Sequence, residues 1–153
     1  MDVVFMGALA GALATVLQAL INWTWMWVGL VEDTLTHGLA RVIFIIPPAV
    51  EPVAGELLLA LFAQLLVGSI YGVGVALLLA NSPGAPLIKG GGVGAFLGVA
   101  HLAALPFLAR IPERVPLELA TLHLLDHIIW GVVAAYLITA LRSESSHLME
   151  EGS

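Results

Sequence analysis

His123, Asp126 and His127 stand at i, i+3 and i+4 in the stretch Thr121-Leu-His-Leu-Leu-Asp-His127. On a helix these side chains fall within an arc of about 100° and can face one way together. Such a set supports two kinds of chemistry. A carboxylate beside an imidazole fixes its tautomer and tunes its titration, which for an ordinary histidine lies near pH 6.5. Two imidazoles one turn apart can instead chelate one ion, as in zinc-binding helices, and His101 or Glu56 could complete the shell. A haem would need axial histidines on facing helices, and His101 with His123 or His127 could supply them. The leading reading has no cofactor, with His101, His123, Asp126 and His127 forming an internal polar network; zinc, iron or haem are the alternatives. No catalytic signature accompanies the cluster. There is no Gly-x-Ser-x-Gly elbow, no Gly-Lys-Ser/Thr after the Gly90–Gly98 run, and His-x-x-Asp-His is not the His-Glu-x-x-His box.

The elements that must position these groups follow from composition. The chain has 153 residues, 60% of them apolar and 10% charged, with a mean hydropathy of +1.04. A soluble domain needs roughly 25% charged residues to cover its surface. Five Lys+Arg and a net charge of −6 exclude a basic nucleic-acid binder and disfavour an anionic lipid surface as partner. Without cysteine there is no disulfide, iron–sulfur cluster or thiolate metal site. A membrane span needs about 20 mostly apolar residues. Four stretches qualify, at about 4–31, 53–80, 91–108 and 117–141. The fold expected is therefore an all-α integral membrane bundle of four transmembrane helices in a single domain, 1–142, with the bilayer as its surroundings. The N-terminus begins with Asp2 rather than a basic patch, so the first span is expected to stay in place rather than act as a secretory signal. The polar, acidic segment 143–153 is set aside as a tail.

Asn81-Ser-Pro-Gly-Ala-Pro-Leu-Ile-Lys89 is a Pro/Gly turn, and Arg110-Ile-Pro-Glu-Arg-Val-Pro116 is a short polar loop with two helix breakers. The segment 32–52 is too short to span. It reads as a helix that lies in the interface or re-enters, starting near Glu32-Asp33-Thr34 and placing Leu35, Leu39, Val42, Ile43 and Ile46 on the wet–dry boundary. Four spans put both termini on one side together with the 81–89 turn. Arg41, Arg110 and Arg114 lie opposite Lys89, Arg142 and the amino terminus, so positive charge assigns no orientation. Trp23, Trp25 and Trp27 read as an interfacial belt. Arg41 is expected to reach for head groups, or else to pair with Glu32 or Asp33.

Depth can be counted. His101 lies seven residues before Leu108, and His123 six residues past Leu117. At 1.5 Å per residue both sit about 10 Å below the same surface. Asp126 and His127 lie deeper, near Gln64, and Asn22 and Glu56 share that half of the bundle. Polar groups inside a membrane are costly and mark functional sites. These residues, with Gln18, are expected to form a pocket in the half away from the termini. Glu51, Glu56 and Glu118 have a simpler reading too, as acidic residues favouring helix starts.

Gly7, Gly11 and Gln18 in the first span align with Gly90, Gly94 and His101 in the third. Gln64 and Gly68 align with His127 and Gly131. This suggests a duplicated hairpin, 1–80 and 90–141, with a pseudo-two-fold axis along the membrane normal. The stripes Gly7/Gly11, Gly68/Gly72 and Gly90/Gly94/Gly98 let helices approach closely, within the chain by preference, or else in a homo-oligomer or with a membrane partner.

Leu66-Val-Gly-Ser-Ile-Tyr-Gly72 and His127-Ile-Ile-Trp-Gly-Val-Val-Ala-Ala-Tyr136, with Gly7-Ala-Leu-Ala-Gly-Ala-Leu-Ala-Thr15 and the proline-containing segment after the first span, resemble the small four-span YqhR-like and YagU-like bacterial membrane proteins. The resemblance implies a bacterial cytoplasmic membrane. The YagU-like group is linked to acid tolerance, which suits a titrating His/Asp cluster, but the likeness assigns no site residues. The function expected is a non-enzymatic accessory role or pH-linked proton or solute movement. A metal- or haem-binding subunit is the alternative, and a lipid head-group enzyme with His123, Asp126 and His127 as acid and base is the third reading.

Overall fold

The computed structural model describes residues 2–32, 34–47, 50–82, 84–108 and 117–151. Among these described residues there are five helices: α1 (Val3–Trp27), α2 (Leu35–Phe44), α3 (Ala54–Asn81), α4 (Pro86–Leu108) and α5 (Leu117–Glu151). All but α2 are long and apolar enough to cross a membrane. Large apolar side chains cover the outer wall, with Phe62 61% and Phe96 72% exposed. Water would penalise that wall, and acyl chains would not. The chain is an all-α membrane bundle.

Local chemistry sets the helix ends. The Asp2 carboxylate accepts from Val4 N at 3.3 Å and caps α1. Gly29, at φ +76°, turns the chain out of α1, so this helix stops at Trp27 and not at Val31. Pro86 is the first residue of α4, where its missing N–H costs nothing, so the helix starts five residues earlier than its apolar run suggests. Lys89 donates to Ser82 O at 2.8 Å and Ser82 Oγ at 3.0 Å, satisfying the end of α3. The segment expected as a separate tail is instead a continuation of α5 as far as Glu151. The polar loop expected over 109–116, like Asp33, lies outside the described residues.

Two antiparallel hairpins build the bundle. A Cβ at Gly7 would lie 2.7 Å from Gly72 O, and one at Gly11 would collide with Gly68 O, so α1 and α3 touch backbone to backbone. In the second hairpin Gly90 packs against Gly131, and Gly94 against the His127 carbonyl. Here the two hairpins differ from their sequence alignment. Gly68 sits between Gly11 and Thr15, while Gly131 sits between Gly90 and Gly94. Gly11 thus takes the place of Gly90 rather than Gly94, a slip of one helical turn. Gly7, Gly11, Gly68, Gly72, Gly90, Gly94 and Gly131 make these close contacts within the chain.

α1 and α5 join the hairpins, and α4 meets α3 only sparsely. Ala10, Ala14, Val75, Ala76, Trp130, Ala134, Ala135 and Ile138 form a buried core in the half nearer the termini. Its small side chains let the helices close there. Bulkier and polar residues hold them apart in the other half, and α2 packs across that half against α3 and α1.

Candidate functional site

The glycine seam of the second hairpin assembles the site. With no side chain at Gly94 or Gly98, α4 lies directly on the His127 turn of α5; a Cβ at Gly98 would already stand 3.1 Å from His127 Cβ. His101, one turn further along α4, then reaches the same height as His127 and His123. His101 Nδ1 lies 2.8 Å from His127 Nε2. The His123 and His127 rings stand 4.4 Å apart between centroids, and His101 and His127 stand 4.8 Å apart. One ring nitrogen from each of the three histidines falls within 4.8 Å of the others.

Hydrogen bonds fix the tautomers. His127 Nδ1 lies 3.0 Å from the backbone oxygen of His123. A carbonyl only accepts, so this nitrogen carries the proton. In neutral His127 the lone pair is then at Nε2, and it accepts from His101 Nδ1–H. A histidine that donates one N–H to a backbone carbonyl while presenting the other nitrogen has the arrangement typical of a metal ligand. Nε2 of His123 is buried and has no partner among the described residues.

Asp126 serves a different contact. It is 1% exposed, and its Oδ2 accepts from Gln18 Nε2 at 2.7 Å, while Asn22 is the other side-chain donor facing it. The carboxylate expected beside an imidazole therefore binds α1 to α5. The helical arc explains this, because Asp126 and His127 occupy its two edges, one toward α1 and the other toward α4, with His123 between them. Asn22 Nδ2 donates to Gln18 O at 3.0 Å, and Trp130 Nε1 donates to Thr15 Oγ1 at 3.0 Å, so polar contacts line the α1–α5 seam.

The histidines border a cavity of about 520 Å³ in the half of the bundle away from the termini. Every helix contributes to its wall. Gln18, Asn22, Gln64, His101, His123 and His127 line it, and Asp126 lies behind it. Glu56 does not join. Its carboxylate folds back to accept from Val53 N at 2.8 Å, using its charge at the start of α3, where the free N–H groups and the helix dipole favour it. Gln64 meets α2 rather than the histidines, accepting from Thr36 Oγ1 at 3.0 Å.

The α2 segment is a helix, but its apolar face is turned inward. Leu35, Leu39 and Val42 line the cavity instead of a wet–dry boundary, while Ile43 is exposed. Trp25 likewise lines the cavity and is not part of a belt; Trp23 and Trp27 remain exposed, because side chains two apart on a helix cannot share a face. Arg41 lies near Glu51, 4.0 Å between Nη2 and Oε1, across the connection to α3. Sequence reasoning passed over His37, which is buried, stands 2.7 Å from Thr34 Oγ1 and packs on Trp23. The Thr-x-x-His spacing at a helix start was its signal: Thr34 caps α2 by accepting from His37 N. No known family model matches the chain, and no curated protein or solved structure matches it either.

Proposed function

We propose that this protein is a membrane-embedded transition-metal-binding protein, with His101, His123 and His127 as ligands. The convergence of three imidazole nitrogens within 4.8 Å carries this reading. Zinc binds histidine at 2.0–2.1 Å, so a tetrahedral ion sets its ligand nitrogens about 3.3 Å apart. The His101–His127 separation of 2.8 Å and the outer limit of 4.8 Å bracket that value. His127 already holds its Nδ1 proton on a carbonyl, and His123 Nε2 is buried with a coordination bond to gain. Three neutral nitrogen donors without thiolate or carboxylate suit zinc, copper or iron rather than magnesium or calcium. The cavity borders all three rings, so a fourth position would face open space. A bare ion fits this geometry better than a haem, whose macrocycle would have to separate two rings in hydrogen-bond contact.

Metal analysis of the purified protein, stripped with chelator and reloaded with zinc, tests the reading. One zinc per chain is expected, with loss of at least tenfold in affinity for His123→Ala and for His127→Ala, and retention in Asn22→Ala. A wild-type chain that holds no stoichiometric metal overturns it. A Soret band in the visible spectrum would instead assign the histidines to haem.

A further inference from the structure

We infer that the cavity behind α2 is a binding site for a neutral, lipid-soluble molecule bearing one hydrogen-bonding oxygen, in class a long-chain alcohol or an alkylphenol. The inference stands on the cavity and concerns the metal-free protein, in which Nε2 of His123 has no partner among the described residues. At about 520 Å³ the space lies within the range of small-molecule sites. Its walls come largely from residues such as Leu39, Val42, Leu97 and Trp25. Among the described residues no Lys, Arg, Asp or Glu lines it, so none of them balances a carboxylate, a phosphate or an ammonium group there.

The polar groups that do line the cavity are mostly committed elsewhere. Thr15 Oγ1 bonds Gly11 O and receives Trp130, and Gln18 holds Asp126. Gln64 accepts from Thr36, and His101 and His127 bond each other. Among the described cavity-lining residues, the buried side-chain polar atom left without a partner is Nε2 of His123. A buried polar group left unsatisfied is costly, and a ligand oxygen would relieve that cost. A water in the same place needs two to four polar partners, and the surrounding wall has few to spare. A buried hydrogen-bonding atom without a partner beside a greasy chamber suits a ligand with one polar end and an apolar body. Such molecules partition into the bilayer from which this bundle would take them.

The test is photolabelling of chelator-stripped protein in phospholipid nanodiscs with azioctanol, a neutral alcohol carrying a diazirine. Expected is saturable labelling at Leu39, Val42 and Tyr71, displaced by unlabelled octylphenol. Gly38 lines the cavity, and a Cβ built there meets nothing within 4 Å, so Gly38→Phe should fill the space without displacing protein and reduce labelling at least tenfold. Gly38→Leu serves the same purpose should the larger ring prevent folding. Gly92 is equally unobstructed but exposed on the outer wall, and Gly92→Phe should leave the labelling unchanged. His123→Leu keeps the volume, removes the polar anchor and should weaken binding about tenfold. Labelling that rises without saturation, spreads over outward residues such as Phe62 and Phe96, or persists in both Gly38 variants overturns the proposal. Because no metal is present, failure to bind zinc would leave this result untouched.

Discussion

His127 holds the site together through both ring nitrogens, one donating to the His123 carbonyl and the other accepting from His101. An imidazole must be neutral to ligate, so protons compete with the metal at all three positions. Zinc occupancy, followed by equilibrium dialysis at falling pH, should therefore decline in acid, and more steeply than for a single-histidine site. A flat profile would contradict three-histidine ligation. The Gln18–Asp126 contact is independent of that chemistry and belongs to stability. Hydrogen bonds between membrane helices contribute about 0.6 kcal/mol on average and at most about 1.7. Gln18→Leu removes the 2.7 Å donor from a carboxylate that stays buried, so its cost should lie at or above the upper end. Pairing it with Asp126→Leu should recover most of the loss, since two apolar groups then face each other. Thermal unfolding of the two single variants and the double variant in detergent measures this coupling directly.

Glycine placement decides the site at the level of helices. Gly94 and Gly92 differ by two residues on α4, yet a Cβ at Gly94 would strike the His127 carbonyl while one at Gly92 meets nothing within 4 Å. Gly94→Ala should push α4 off α5, separate His101 from His127 and lower zinc affinity by tenfold or more. Gly92→Ala should keep the site and gain up to about 1 kcal/mol from helix propensity. Equal behaviour of the two variants would mean that the seam does not position the histidines. The α2 helix is fastened to the bundle by the Thr36–Gln64 hydrogen bond and by Asn22 Oδ1, which accepts from Leu35 N at 3.5 Å. The His37–Trp23 ring contact and the Arg41–Glu51 pair add to these fastenings.

Across the whole molecule, the packed alanine-rich core and the cavity divide the bundle into a closed half and an open half. Zinc at the proposed site bridges α4 and α5 and would bind only the folded form. Folding and binding are then linked: ligand at 1,000 times its Kd stabilises by about 4 kcal/mol. Tm should rise with zinc concentration in the wild type and stay fixed in a variant lacking His101, His123 and His127. A comparable rise in that variant would place the stabilising metal elsewhere.

Class and site were legible to different degrees. Hydropathy and length gave the number of spans, because a helix in lipid must satisfy its own backbone and so needs a long apolar run. Counting residues from the span ends put His101 and His123 at one depth, with Asp126 and His127 one turn deeper, since helical rise is constant. Facing direction was not legible in the same way. A small rotation of α5 decides whether Asp126 meets an imidazole or Gln18, and that rotation is set by glycine contacts between helices. The roles of Glu56, Trp25 and α2 were hidden for a related reason. Each depends on which surface a neighbouring element covers, and packing in lipid follows close shape complementarity between helices, not the hydrophobic periodicity that makes buried faces readable in soluble proteins. The sequence by itself determined how many helices cross and how deep each polar group lies; tertiary structure alone decided which groups touch and that a chamber remains beside them.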